Sequence, residues 1–234
     1  FDMITARSAD VMGFHALYMS GYGATASPRG MPDAGLATYT DMVGRVRAIC
    51  EGTTTPLIAD ADTGYGGVVN VRRTVRAYER AGVAALHIED QGWPKRCGHL
   101  AGKTVIPVEE MVAKIRAAVD ARQDPDFQII ARTDAVAVEG YEAAIERARR
   151  YEEAGADILF IEALSDMEHL RAAPKLFRVP LLYNMASSGK TPFLSAAEMQ
   201  ELGFRLCIYP NFVVLAAIPA VRRMLRTLKE QGTP

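Results

Sequence analysis

The sequence predicts an α/β protein folded as a closed (β/α)8 barrel of the TIM type. Three observations predict it. Short apolar runs alternate with amphipathic helical segments along all 234 residues, the signature of parallel strands joined by helical crossovers. The stretches Arg80-Ala81-Gly82-Val83-Ala84 and Glu153-Ala154-Gly155-Ala156-Asp157 carry the same punctuation, a helix stop feeding a strand. Polar residues close nearly every strand. An open doubly wound sheet gathers its site at one switch point, whereas a barrel brings every strand end to one mouth.

Residues 6–13 read as a short helix and 14–19 as a strand, running into Ser20-Gly21-Tyr22-Gly23 and a loop with Pro28, Pro32 and Asp33. Residues 40–50 are helical, since Met42, Val46 and Ile49 share one face. Residues 57–59 form a buried strand that runs into Asp60, Asp62 and a Gly-rich turn. Residues 70–81 are helical, with Val71, Val75 and Tyr78 in helical phase and Gly82 as the stop. The strand 84–88 ends at Glu89-Asp90, and a polar loop occupies 91–106. Pro107 opens the next helix as a first-turn proline. The strand 127–131 ends at Arg132-Thr133-Asp134; a helix follows over 141–154, and the strand 158–161 ends at Glu162. A short helix near 166–175 leads to the strand 180–183, which ends at Asn184. Ser195 caps a helix to Leu202, with Glu198 completing a capping box. The strand 204–208 ends at Tyr209-Pro210, and the last helix carries Ile218, Val221, Leu225 and Leu228 on one face. Seven strands result, one short of eight. The first strand is expected to precede Phe1, and residues 1–234 are expected to be one barrel domain trimmed at both termini.

Composition narrows the function. With 27 basic and 28 acidic side chains the net charge is -1, which gives no electrostatic basis for binding nucleic acid or an anionic membrane. No apolar stretch approaches the roughly 20 residues of a membrane span, and no signal-peptide pattern is present. Three cysteines, Cys50, Cys97 and Cys207, form no disulfide framework and fit a reducing, cytoplasmic setting. Cys50 and Cys207 have apolar neighbours and read as small core residues.

The strand ends supply Ser20, Asp60, Asp62, Glu89, Arg132, Glu162, Asn184 and Pro210. Several carboxylates around one mouth repel unless a hard cation such as Mg2+ is shared among them. Arg132 offers a fork for a substrate carboxylate, and the N–H groups around Ser20-Gly21-Tyr22 offer a second cradle. The plain alternatives are turn and cap roles for the two aspartates, strand-end capping for Glu89, Asp90 and Glu162, and a simple ion pair for Arg132. Alternation sets a further condition: Asp60 and Asp62 face the same way only if the chain stays extended through Ala61.

The second feature is Lys95-Arg96-Cys97-Gly98-His99-Leu100-Ala101-Gly102-Lys103. A thiol among Lys95, Arg96 and His99 favours its thiolate, and Gly98 and Gly102 suit a loop that closes over a site. A basic surface loop with an incidental thiol is the alternative. No second cysteine lies at zinc-ligand spacing.

Ile58-Ala59-Asp60-Ala61-Asp62-Thr63-Gly64-Tyr65-Gly66, followed by Lys95-Arg96-Cys97-Gly98-His99, resembles the isocitrate lyase and phosphoenolpyruvate mutase superfamily over essentially the whole chain. The Lys-Arg-Cys-Gly-His loop is a mark of its carbon–carbon lyase branch. The resemblance implies an (α/β)8 barrel and a homo-oligomer, dimer or tetramer, that exchanges a C-terminal helix between barrels. It implies a Mg2+ site, open to Mn2+, at Asp60, Asp62 and Glu89, partly acting through water. Tyr18, Ser20, Gly21 and Tyr22 match the segment that holds an α-keto acid carboxylate, and Asp33 matches a further active-site acid. Arg132, Glu162 and Asn184 match polar substrate contacts, with Arg132 and Glu162 also placed in catalysis. Cys97 matches the lyase cysteine, and Gly98 and His99 join it as substrate contacts, His99 also as a catalytic residue. The short chain and the segment 184–192 point to lyases acting on 2-methylisocitrate, 2,3-dimethylmalate or similar acids. An oxaloacetate hydrolase on the same scaffold is the alternative, and a non-catalytic homologue a remote one. Hydrolases of this kind often carry a hydroxyl residue where this chain has Pro210.

Overall fold

The computed structural model of the chain describes residues 1–98, 100–187 and 190–234. Its strands are β1 (Leu17–Met19), β2 (Leu57–Asp60), β3 (Ala85–Glu89), β4 (Gln128–Thr133), β5 (Ile158–Ile161), β6 (Leu181–Asn184) and β7 (Leu206–Ile208). All pair in parallel and in chain order, each strand with the next. The sheet curls into a nearly closed barrel with its helices outside, consistent with a (β/α)8 architecture lacking one strand, with seven strands among the described residues. β1 and β7 face each other across a cleft of about 490 Å3, lined by Phe14, Leu17, Ile58, Cys207, Ile208 and Val214 among others.

Two apolar layers follow from the period of two along each strand. Ile58, Ala85, Ile130, Ile158, Phe160, Leu182 and Ile208 point inward and fill the barrel. Their strand neighbours, such as Ala59, Leu86, Ile129 and Leu159, point outward against Val71, Val75, Met111, Ile115 and Tyr151 of the helices. Those helices are α3 (Tyr39–Gly52), α4 (Val68–Arg80), α5 (Val108–Ala121) and α6 (Tyr141–Glu153). Near the N-terminus, α1 (Met3–Val11) packs on α3 and β1.

Four expectations are corrected. Residues 20–29 are not loop: Gly21–Arg29 is a helix, α2, ended by Gly30 in the left-handed region. Its glycines conceal it, because propensity disfavours them, yet contact requires one of them. A Cβ on Gly21 would lie 2.7 Å from Asp60 Oδ2. The first strand starts at Leu17 rather than residue 14, and Phe14 stays exposed. The last strand starts at Leu206 rather than 204. Pro107 is the N-cap of α5, one residue outside the helix, with extended ψ of 143°.

The later helices are α7 (Met167–Ala172), α8 (Ala196–Leu202) and α9 (Phe212–Gln231), and the capping box of Ser195 with Glu198 is present on α8. Val214 is the buried side chain of α9, whereas Ile218, Val221, Leu225 and Leu228 on its predicted face stay exposed. Cys50 and Cys207 are half-buried thiols. Among the described residues no helix is long and apolar enough to cross a membrane.

Candidate active site

The alternation that fills the barrel also builds its mouth. Asp60, Glu89, Arg132, Glu162 and Asn184 each lie two residues beyond an inward side chain, namely Ile58, His87, Ile130, Phe160 and Leu182. They line a cavity of about 250 Å3, shared with Tyr18, Ser20, Tyr22, Asp33, Lys95, Cys97, Gly98, Pro210 and Leu215. Sites for drug-sized ligands run to about 300–1,000 Å3, so this one suits a small organic acid.

The loop that carries Cys97 lies down over the cavity. Its stem is a bridge between Gln91 and Val105, supported by the Gly92 amide donating to Thr104 O at 2.8 Å. A Cβ on Gly98 would lie 2.8 Å from Glu162 Cδ, so glycine allows the backbone to rest on Glu162 and Arg132. Cys97 is half-buried at the cavity wall. His99 lies outside the described residues.

Asp60 is held firmly. Its Oδ2 accepts the Gly21 amide at 3.0 Å and its Oδ1 the Asp62 amide at 2.9 Å. Burial opposes its ionisation, but His87, Lys95 and Arg132 outweigh burial and bring the Asp60 carboxyl down to about 2. The Gly21 N–H, expected to cradle a substrate carboxylate, is committed to Asp60. The extended path through Ala61 is not taken. β2 ends at Asp60, and Asp62 adopts φ of 47°, a left-handed conformation that costs about 1–3 kcal/mol and that aspartate tolerates better than most residues. Burial, reinforced by Asp60 and Asp33 against the opposing charge of Lys95, pushes the Asp62 carboxyl up to about 7. Burial also raises Glu89 well above the usual carboxylate range, with Asp134 and Asp60 adding to it.

Arg132 is more engaged than its expected role as a free fork. Its Nε and Nη2 bind the two oxygens of Asp134 at 2.9 and 3.1 Å. Nε also lies 3.3 Å from Glu89 Oε2, and Nη2 lies 3.2 Å from Glu162 Oε2. Phe160 sits under the guanidinium, 4.9 Å from ring centroid to Cζ. Glu162 in turn accepts the Asn184 amide at 3.0 Å.

Three residues, His87, Asp134 and Lys103, join the site without being expected there, and Lys95, expected among the cations around Cys97, also reaches the acids. Lys95 pairs with Asp33 and lies 2.7 Å from Asp62 Oδ1, buried with them. His87 sits one layer below, its Nε2 2.9 Å from Tyr18 Oη and 3.6 Å from Asp60 Oδ1. Burial lowers its pKa to about 4, so the imidazole is neutral. Asp134 and Lys103 pair beside Arg132 at 2.7 Å. His87 was readable from the alternation Ala85, His87, Glu89; the pairing of Lys103 with Asp134 crosses 31 residues and leaves no local signal.

The donor set fits a hard cation. Asp62 Oδ1 and Glu89 Oε1 are buried oxygens without a hydrogen bond of good geometry, although Lys95 Nζ stands near the first. Buried carboxylates left so cost several kcal/mol unless a cation shares them. Among the described residues no three such side chains already converge on one point. The fit therefore rests on the orphaned oxygens and the surplus of buried acid, not on a preformed cage.

A family profile described as phosphoenolpyruvate phosphomutase matches residues 1–229. The chain is 48% identical over 232 residues to 2,3-dimethylmalate lyase of Eubacterium barkeri, covering 99% of this chain and 80% of that protein. It is 47% identical over 233 residues to a 2-methylisocitrate lyase of Aeropyrum pernix, covering 100% and 75%. A crystal structure of 2,3-dimethylmalate lyase superposes with a TM-score of 0.96 at 46% identity, over 100% of this chain and 79% of that one. An oxaloacetate acetylhydrolase solved with 3,3-difluorooxalacetate gives 0.96 at 42% identity, over 100% and 80%. A phosphonopyruvate hydrolase solved with oxalate and Mg++ gives 0.88 at 33% identity, over 99% and 81%. Similarity of this strength along the whole chain, in sequence and in fold, makes the protein a member of the PEP mutase/isocitrate lyase superfamily.

Proposed function

We propose that the protein is a Mg2+-dependent carbon–carbon lyase. Its substrate is a 2-hydroxy di- or tricarboxylate of the methylisocitrate or dimethylmalate type, cleaved to an α-keto acid and a second carboxylate. The observation that carries this is the position of Cys97, at the wall of a small cavity that also holds Asp60, Glu89 and Arg132. The names of the relatives, 2,3-dimethylmalate lyase and 2-methylisocitrate lyase, support the same chemistry. Pro210 stands at the cavity wall where such hydrolases often carry a hydroxyl residue, which favours the lyase over an oxaloacetate hydrolase.

Asp60, Asp62 and Glu89 would hold the cation, and Mn2+ suits the same oxygen donors. When bound, it supplies Lewis-acid polarisation of the substrate's hydroxyl and carboxylate oxygens. The chain's own residues do the rest. Tyr18, Ser20 and Tyr22 orient the keto-acid half at the N-terminal end of α2, whose dipole favours an anion. Glu162, a carboxylate at the cavity wall, takes the proton of the substrate hydroxyl; the carbon–carbon bond breaks, and its electrons pass to the fragment that leaves as a carboxylate-stabilised carbanion. Arg132 faces that growing charge. Cys97 Sγ then donates a proton to the new carbanion. Gly98, resting on Arg132 and Glu162, excludes water while this happens.

The exposed Val213, Ile218, Val221, Leu225 and Leu228 of α9 support a homo-oligomer in which a second copy of the chain covers them. The three thiols suit a reducing, cytoplasmic setting.

A panel of 2-hydroxy di- and tricarboxylates with Mg2+, scored by the keto acid released, tests the reading. Cleavage of a methyl-branched member is expected. Release of oxalate from oxaloacetate, with no hydroxy acid cleaved, overturns it.

A further inference from the structure

Lys103 lies near the C-terminal end of the Cys97 loop. Its side chain is only 2% exposed, and its ammonium reaches two acceptors. One is the carbonyl of Gly98, the residue next to Cys97. The other is Asp134 Oδ1, 2.7 Å away on the barrel rim. Asp134 is wholly buried, and both of its oxygens also bind Arg132. Its amide donates to Asp90 Oδ1 at 2.9 Å, which fixes it to the end of β3. One carboxylate is thus shared between the loop that carries the proton donor and the arginine that faces the carbanion.

The loop has a second ionic attachment, through Lys95 to Asp33 and Asp62. Asp62 is one of the carboxylates proposed above to hold the cation, so that attachment is shared with the cation site. The Lys103–Asp134 pair makes no direct contact with Asp60, Asp62 or Glu89.

We propose that Lys103 is a positioning residue, a latch that holds the Cys97 loop closed and sets it in register with Arg132 through Asp134. The chemistry it serves is the proton donation by Cys97 given above, on which this inference rests. When the loop lifts, the Gly98 carbonyl and Asp134 lose the ammonium they share, and Arg132 loses the partner of its own counter-ion. Closing the loop therefore completes the donor and the electrostatic stabiliser in one movement. A plain structural ion pair would instead raise stability and leave the chemistry of folded protein untouched.

The test is Lys103→Met, with Lys103→Arg as the second variant. Two readings are taken on protein shown to be folded by circular dichroism. The first is the rate at which iodoacetamide alkylates Cys97, followed by peptide mass spectrometry so that Cys50 and Cys207 do not interfere. The second is kcat and KM. A displacement of ~1 Å costs on the order of 10²-fold in rate, so kcat of Lys103→Met is expected to fall about 100-fold with KM changed far less. Cys97 alkylation is expected to accelerate about tenfold, in line with greater access. Lys103→Arg keeps the charge, but its planar head does not fill the same place, so intermediate values of both are expected. Unchanged alkylation and unchanged kcat in either folded variant overturn the latch. Faster alkylation with unchanged kcat supports the latch and instead overturns Cys97 as proton donor.

Discussion

The barrel wall between β3 and β4 is built differently from the wall between β7 and β1. On the first side, five residue pairs run from Ala85↔Gln128 to Glu89↔Arg132. Behind them Asp90 is wholly buried and accepts from Thr133 Oγ1 at 2.7 Å, Tyr151 Oη at 2.8 Å and the Asp134 amide at 2.9 Å. Arg147 ties the same cluster to Ile106 O, at the foot of the Cys97 loop. On the other side no strand pair joins β7 to β1 among the described residues. Apolar side chains face a cleft there, and α9 leaves most of its apolar residues exposed. Charge is thus placed where a dense polar frame can hold it in a low-dielectric setting, and shape is supplied where the wall is apolar.

The largest effect that would break this contrast is on activity. Cys97→Ser, on the framed side, is expected to lower kcat by about 10²–10⁴-fold, the range for a lost proton donor. Oxalate binding measured by calorimetry should persist. Leu215→Ala, on the opposite wall of the same cavity, is expected to raise KM less than about tenfold and leave kcat nearly intact. Comparable kcat losses in the two would erase the distinction.

Next comes stability. Asp90→Ala leaves Tyr151, Thr133 and Arg147 without their buried acceptor, and a loss of about 3–5 kcal/mol is expected in urea unfolding. Leu225→Ser on α9 should change the unfolding of a dilute, dissociated chain by less than about 0.5 kcal/mol. Its effect should appear as dissociation in light scattering, if a second copy covers that face as proposed.

The smallest effect concerns acid. Asp10 of α1 accepts the Thr55 hydroxyl and amide and the Thr54 amide, and these bonds hold its carboxyl below the usual range. Since the folded value is the lower one, its contribution is full above the unfolded value of about 3.9 and is lost as pH falls through the folded value. The difference in urea midpoint between wild type and Asp10→Asn should therefore be constant above about pH 4 and close below it.

Much of this was legible in the residues. Ile158–Ile161 is the strand its apolar run predicts, and Ser195 caps its helix as the spacing to Glu198 requires. Asp60, Glu89, Arg132 and Glu162 meet because strands of period two, paired in parallel, bring equivalent positions to one rim. What escaped depends on contacts distant in sequence. α2 is helical although it contains Gly21, Gly23 and Pro28, since Gly21 must sit against Asp60. The sequence offers Arg132 as a fork for substrate, but Asp134 and Glu162, whose directions depend on the folded rim, engage it first. Asp62 reaches the cluster by a left-handed turn that no alternation rule anticipates.

Gly98 sets how far the loop can descend, because backbone rather than side chain meets Glu162 there. A single methyl group at this position would act as a doorstop. Gly98→Ala should still admit a small dicarboxylate but be unable to seal it in, turning a catalyst into a receptor that can be loaded, washed and emptied unchanged.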